Sequence, residues 1–226
     1  MSETPDAAGL TLAFLGGTGD QGRGLARRFA IAGHPVILGS RQAERAHDAA
    51  TALGGSVADP HLITGTTNEA AAAAADVVVV AVPWEGHETL VRALAPALTG
   101  KIVIDCVNPM GFDAQGAFAL PVPEGSAAAQ AQSLLPASTV VAAFHHVSAV
   151  LLLDPEVDRI ETDVLVLGDD RTATDLVQAL VDRIVGMRGV YGGRLRNAGQ
   201  VEALTANLVS INRRYKAHAG LRVTDV

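Results

Sequence analysis

Leu10-Thr11-Leu12-Ala13-Phe14-Leu15 runs directly into Gly16-Gly17-Thr18-Gly19-Asp20-Gln21-Gly22, and this join decides the fold. The apolar run reads as a buried strand. Behind it, Gly17-x-Gly19-x-x-Gly22 has the spacing of a dinucleotide fingerprint, in its required place between strand and helix. Gly17 permits the tight turn, Gly19 lets the backbone approach a pyrophosphate, and Gly22 lets helix and strand pack closely. Leu25, Phe29 and Ala32 follow at helical spacing over Gly22–Ala32. Free N–H groups at the start of that helix, beside Asp20 and Gln21, then face an anion.

Outward from this join, strands and helices alternate. Val36–Leu38 reads as a second strand and Gln42–Leu53 as a second helix, with a third strand around Leu62-Ile63. Asn68 is placed to cap a helix through Asp76, whose run of alanines favours helix and close packing. Val77–Val82 is the clearest buried strand, followed by a helix over Glu85–Leu98 and a strand at Ile102–Asp105. Asn108–Pro123, dense in Gly and Pro, reads as loop. Then come a short helix near Gly125–Leu134, a strand at Val140–Ala143, an apolar stretch Val147–Leu153, a strand at Val164–Leu167 and a helix at Ala173–Ile184. Val201, Leu204, Leu208, Ile211 and Tyr215 recur in steps of three and four, so Gln200–Lys216 reads as an amphipathic helix. Continuous apolar strands alternating with helices predict an α/β fold: a Rossmann-like, mostly parallel sheet with helices on both faces, plus a small C-terminal helical lobe. The expected division is a dinucleotide-binding part over residues 10–145 and a remainder over 146–226.

The end of the second strand selects the cofactor. An NAD site places an acid there, ~20 residues beyond the fingerprint, on the ribose 2′-hydroxyl. Here the strand runs into Gly39-Ser40-Arg41, with Arg45 one turn further and no acid before Glu44. A hydroxyl and guanidinium groups bind a 2′-phosphate that a carboxylate would repel. Thr18 adds a second hydroxyl, so NADP(H) is expected. Ligands of parallel sheets sit beyond the carboxyl ends of the strands, where Val82-Pro83-Trp84 and Cys106-Val107-Asn108-Pro109 leave this one. Trp84 either lines the nicotinamide pocket or packs under the next helix.

Composition excludes several classes. The 226 residues carry a net charge of −7, against general nucleic-acid binding. Residues 1–187 hold 10 Lys/Arg against 22 Asp/Glu, whereas residues 188–226 hold seven basic residues against two acids, a net of +5. That basic segment fits either a packing face or the anionic end of a ligand. The lone Cys106 excludes an internal disulfide framework and reads as inert. No apolar run approaches the ~20 residues of a membrane span, and Met1–Gly9 lacks the pattern of a secretion signal, so a cytoplasmic protein is expected. No disordered linker is apparent beyond those first nine residues.

With these residues assembled, the chain resembles the F420-dependent NADP reductase family over nearly its whole length, most of all the actinobacterial branch. The shared stretches are Gly16–Gly19, Gly39–Arg41, Val82–Glu85, Ala143–Ala149, Gly168–Asp170, Arg194–Asn197 and Val201–Thr205. The resemblance implies hydride exchange between NADP(H) and the deazaflavin coenzyme F420, and a homodimer. It implies that Thr18, Ser40 and Arg41, with Arg45 standing for a lysine of archaeal relatives, contact the 2′-phosphate. It also implies that the segment around His145 and Val147 walls the deazaflavin pocket, completed by residues 146–226. His146 replaces a residue that is often Thr. Hydride transfer between two aligned rings requires positioning and water exclusion, with no catalytic residue or metal. The basic C-terminal residues, Arg194 and Arg196 with Arg213 or Arg214, are expected to attract the coenzyme's anionic tail.

Other readings stay open at this level. His145 and His146 read as cofactor contacts, as satisfied structural histidines or, least well, as metal ligands, because neighbours on a strand point to opposite faces. The acids Asp154, Glu156, Asp158, Glu161 and Asp163 read as a solvated loop, and Asp169-Asp170 as a helix cap. An NADP-dependent reductase of a small metabolite or ferric complex, or a non-catalytic NADP(H) sensor, are the rival functions. The first calls for a general acid near the nicotinamide; neither Lys101 nor Lys216 is obviously placed for it.

Overall fold

The computed structural model describes residues 5–226. Its first half alternates β1 (Leu12–Leu15), α1 (Asp20–Ile31), β2 (Val36–Ser40), α2 (Ala43–Gly54), β3 (Ile63–Thr67), α3 (Asn68–Ala74), β4 (Val77–Val80), α4 (Trp84–Leu98) and β5 (Ile102–Asp105). A hairpin of β6 (Met110–Asp113) and β7 (Gly116–Ala119) follows. The remainder is α5 (Ala127–Leu134), β8 (Thr139–Ala142), α6 (Ala149–Leu153), β9 (Thr162–Gly168), α7 (Arg171–Asp182), β10 (Met187–Gly193) and α8 (Ala198–Tyr215).

Eight strands form one sheet in the order β10-β9-β8-β5-β4-β1-β2-β3. Every neighbouring pair is parallel except β8 with β9. The sheet continues across the 145/146 boundary, because β9 and β10 extend its edge. Side chains alternate between its faces. Leu12 and Phe14 join Leu25, Phe29, Leu38 and Val79 on one side, while Ala13 and Leu15 join Val78, Val91 and Leu98 on the other. The four valines of β4 are buried throughout, as a strand covered on both faces demands.

Several expectations need correction. The stretch Asn108–Pro123 is not simply loop, for it contains the β6–β7 hairpin. Asp113 Oδ1 accepts from Gln115 N at 2.7 Å and Gly116 N at 3.1 Å, and Gly116 takes φ +127°. The same turn chemistry that reads as irregular loop is what closes this hairpin. Thr67, not Asn68, caps α3, accepting from Ala70 N at 3.2 Å. β10 carries Gly189, Gly192 and Gly193 and so escaped the apolar pattern.

The acidic run is not uniformly solvated either. Asp163 is fully buried in β9, bound by Arg188 Nη2 at 2.7 Å, Arg222 Nη1 at 3.0 Å and the Val223 N–H at 2.6 Å. Two of the seven basic C-terminal residues therefore fasten the last residues to the sheet edge. On α8 the apolar stripe is buried at Val201 and Leu208, whereas Ile211 and Tyr215 are exposed. Asp170 does cap α7, accepting from Ala173 N at 2.8 Å. Within Met1–Gly9, residues 1–4 lie outside the described residues, and Ala7 is buried in the core.

Candidate active site

The strand order reverses between β1 and β4, and a cleft of about 280 Å³ opens there beyond the carboxyl ends of the strands. Gly19, Asp20 and Gln21 line it from the fingerprint loop, Ala81, Val82 and Pro83 from the end of β4, Cys106, Val107 and Asn108 from β5, and His145 from beyond β8.

The loop's shape follows from its glycines. Gly16 takes the left-handed turn, φ +70°, where a Cβ would collide with Val82 Cγ1. At Gly22 a Cβ would lie 2.8 Å from Gly17 Cα, so loop and helix meet backbone to backbone. At Gly19 the nearest atom to an added Cβ is 3.6 Å away, which leaves the approach to the cleft open. Gly19 is also the N-cap of α1 and carries no side-chain cap, so the first-turn N–H groups remain available to an anion. Asp20 pairs with Arg23 at 2.6 Å, and Gln21 Nε2 donates to Phe144 O at 3.3 Å. Phe144 is buried with φ +65°, a costly conformation for a bulky residue that turns the chain from β8 towards His145.

The remaining expected residues lie around this cleft in two groups. Ser40 is buried at the end of β2, and its Oγ accepts from Gln42 N at 3.3 Å. Arg41 and Arg45 are exposed at the start of α2, whose N-cap, Gln42, makes no side-chain cap bond. Thr18 is half-buried in the fingerprint loop, and Gly17 is buried beneath it. Trp84 is not among the cleft-lining residues; it opens α4 and stacks on His87, ring centroids 5.5 Å apart. Val147 is buried in the core and borders a separate hollow of about 40 Å³ with His146 and Ser148. The structure thus separates Val147 from His145.

Behind the cleft lies a buried polar cluster that the sequence pattern did not suggest. His87 Nε2 meets Asp105 Oδ2 at 2.7 Å, and His87 Nδ1 meets Gln130 Oε1 at 3.0 Å. Burial opposes charge on His87, but the Asp105 hydrogen bond and charge outweigh it and raise its pKa. Asp105 and Gln130 facing the two ring nitrogens favour the charged form of His87. Glu202 of α8 accepts from the first two N–H groups of α5, Ala127 at 2.9 Å and Ala128 at 3.2 Å. Burial, reinforced by the charge of Asp105 against these two bonds, pushes its carboxyl up to about 7.

His145 is held by its backbone: its carbonyl accepts from Asn108 Nδ2 at 2.8 Å and Thr205 Oγ1 at 3.1 Å. Its buried ring has no hydrogen-bond partner among the described residues, and burial lowers its pKa to about 4. His146 turns elsewhere, its Nε2 accepting from Leu165 N at 3.4 Å. Among the described residues no cluster of His, Cys, Asp and Glu is suited to a metal ion. Lys101, the lysine nearest the strands, donates to Ala73 O and Ala75 O at the end of α3 and is absent from the cleft lining.

This arrangement is matched in known proteins. Residues 11–109 fit the family described as NADP oxidoreductase, coenzyme F420-dependent. The F420-dependent NADP reductase of Methanothermobacter thermautotrophicus is 38% identical over 223 residues, covering 96% of each chain. The chain belongs to the F420-dependent NADP reductase family. The reductase of Methanocaldococcus jannaschii is 36% identical, covering 96% of this chain and 99% of its own. A crystal structure of a candidate F420-dependent NADP reductase from Arthrobacter sp. FB24 superposes with a TM-score of 0.79 at 25% identity, over 96% of this chain and all of that one. The cleft between β1 and β4 thus has an uncapped helix start on one wall and, on another, His145, whose ring has no hydrogen-bond partner among the described residues.

Proposed function

We propose that this protein exchanges a hydride between NADP(H) and coenzyme F420, with the two rings aligned face to face in the cleft. The observation that carries this reading is full-length similarity to F420-dependent NADP reductases, combined with a fingerprint cleft that also has His145 on its wall. In the direction of deazaflavin reduction, NADPH gives up a hydride and one further proton is taken from solvent. The cleft contributes orientation and exclusion of water, worth several orders of magnitude in rate for correctly aligned reactants.

In this reading the α1 N-terminus, with Gly17, Gly19 and Gly22, holds the pyrophosphate. Thr18, Ser40, Arg41 and Arg45 read the 2′-phosphate. Val82, Pro83 and Asn108 border the nicotinamide, and residues 146–226 complete the deazaflavin side. Arg196, Arg213 and Arg214, all exposed, attract the anionic tail of the coenzyme. The protein acts as a homodimer in the cytoplasm. Exposed Phe112, Phe118, Ile211 and Tyr215 on the β6–β7 hairpin and α8 support a covered face, and no described helix is long and apolar enough to cross a membrane.

The test is spectrophotometric. Oxidised F420 mixed with enzyme and NADPH is expected to bleach, and to bleach far more slowly with NADH. NADPH binding without bleaching would favour the sensor instead.

A further inference from the structure

Glu202 lies where a helix cap and a cleft residue meet. One side of its carboxylate is fixed by the Ala127 and Ala128 N–H groups, and Oε1 lies 3.9 Å from His145 Nε2. That gap is slightly too wide for a hydrogen bond, and it leaves both His145 ring nitrogens buried and without a partner among the described residues. Two orphaned polar atoms on one ring are expensive unless a ligand or a small adjustment satisfies them.

We propose that Glu202 is a positioning residue for His145, setting which ring nitrogen carries the proton and hence which buried edge of this ring at the cleft wall is a donor and which an acceptor. The logic is one of complementary protons. An ionised Glu202, once the 3.9 Å gap closes, accepts from Nε2–H, which leaves Nδ1 a bare acceptor. A protonated Glu202 donates to Nε2, so His145 carries its proton on Nδ1 and becomes a donor. The ring stays neutral in both states, in keeping with its lowered pKa. The groups facing this pair are Asp105 from β5 and His87 from α4, with His146 adjacent in the chain. Asp105 is engaged by His87 and by the Val107 N–H, so it holds the local field without competing for His145.

The proposal rests on the cleft being the meeting place of the two substrates, and its test separates the two claims. Nitrogen NMR of the histidine rings in the ligand-free protein, with His145→Phe identifying the signal, reads the tautomer directly. From about pH 5.5 to about 8.5 the His145 proton is expected to move from Nδ1 to Nε2, with a midpoint near the Glu202 value of about 7. In Glu202→Gln the tautomer is expected to stay fixed, and kcat/KM for the deazaflavin to fall about tenfold and lose its inflection near neutrality. Glu202→Asp is expected to restore part of the pH dependence. A wild-type tautomer that never changes, or a switch that survives Glu202→Gln, overturns the assignment. If the switch is present but neither NADPH nor F420 moves the His145 signals, Glu202 control stands and the cleft is rejected as the substrate site.

Discussion

Asn68 Oδ1 accepts the Gly16 N–H at 3.2 Å, which ties the start of α3 to the fingerprint loop. Asn68 is buried, and a Cβ on Gly39 would fall 2.7 Å from the same oxygen. The loop is therefore braced from outside by a residue 52 positions away in the chain. Asn68→Ala leaves the Gly16 donor without its partner, so NADPH dissociation should rise about tenfold and stability fall by about 1 kcal/mol. Calorimetric titration and urea unfolding measure the two. An unchanged dissociation constant would mean that the glycines alone hold the loop.

In the proposed function Arg41 reads the 2′-phosphate, and its removal tests that assignment. Removing a charge-assisted contact to phosphate should weaken NADPH binding by about tenfold to a hundredfold, with NADH binding unaltered in Arg41→Ala. Equal losses for both cofactors would place Arg41 elsewhere than on the 2′-phosphate.

Asp163 gives a pH dependence with a definite sign. The Arg188 hydrogen bond, with the Val223 N–H and Arg222 against the cost of burial, lowers its carboxyl from 3.8 to about 2. A depressed pKa stabilises the fold above the unfolded value and is lost as pH falls through the folded one. Asp163→Asn should melt about 5 °C lower than the parent at neutral pH, and the gap should narrow as pH falls from about 4 towards about 2. Scanning calorimetry across that window decides it, and a gap of constant size would assign the loss to packing.

Cys106 borders the cleft yet should be unreactive. Its thiol donates to Val80 O at 3.1 Å, and burial, aided by the charge of Asp105, pushes its pKa far above the usual thiol range. A disulfide reagent at mildly alkaline pH should label the protein only after unfolding. Rapid labelling of the native state would reveal an opening between β4 and β5.

The fold was legible because its strongest signals are local. The apolar strand Leu10–Leu15, the glycine spacing after it and the valines of β4 each carry their meaning within a few residues. The site was half legible for the same reason: Gly19, Gln21, Val82, Asn108 and His145 sit next to strand ends that can be read from the chain. What escaped was non-local. Asn68 looks like a helix cap until the Gly16 N–H is seen across the sheet. Glu202 interrupts the apolar pattern of α8 and has a purpose only beside α5 and His145. Asp163 looks solvated because its two arginines lie 25 and 59 residues away. Even Val147, two residues from His145, faces a different hollow because the chain turns through Phe144 and leaves the strand alternation.

The most direct measurement follows the hydride itself. NADPH deuterated at the transferable position of nicotinamide carbon 4 is incubated with the enzyme and oxidised F420, and the reduced deazaflavin is analysed by mass spectrometry. Direct ring-to-ring transfer predicts one carbon-bound deuterium in the coenzyme, retained in ordinary water, and no carbon-bound deuterium when the NADPH is unlabelled and the label is placed in the solvent. Reduced coenzyme that carries its new carbon-bound hydrogen from solvent, or no reduction while NADPH is bound, would contradict face-to-face exchange in this cleft.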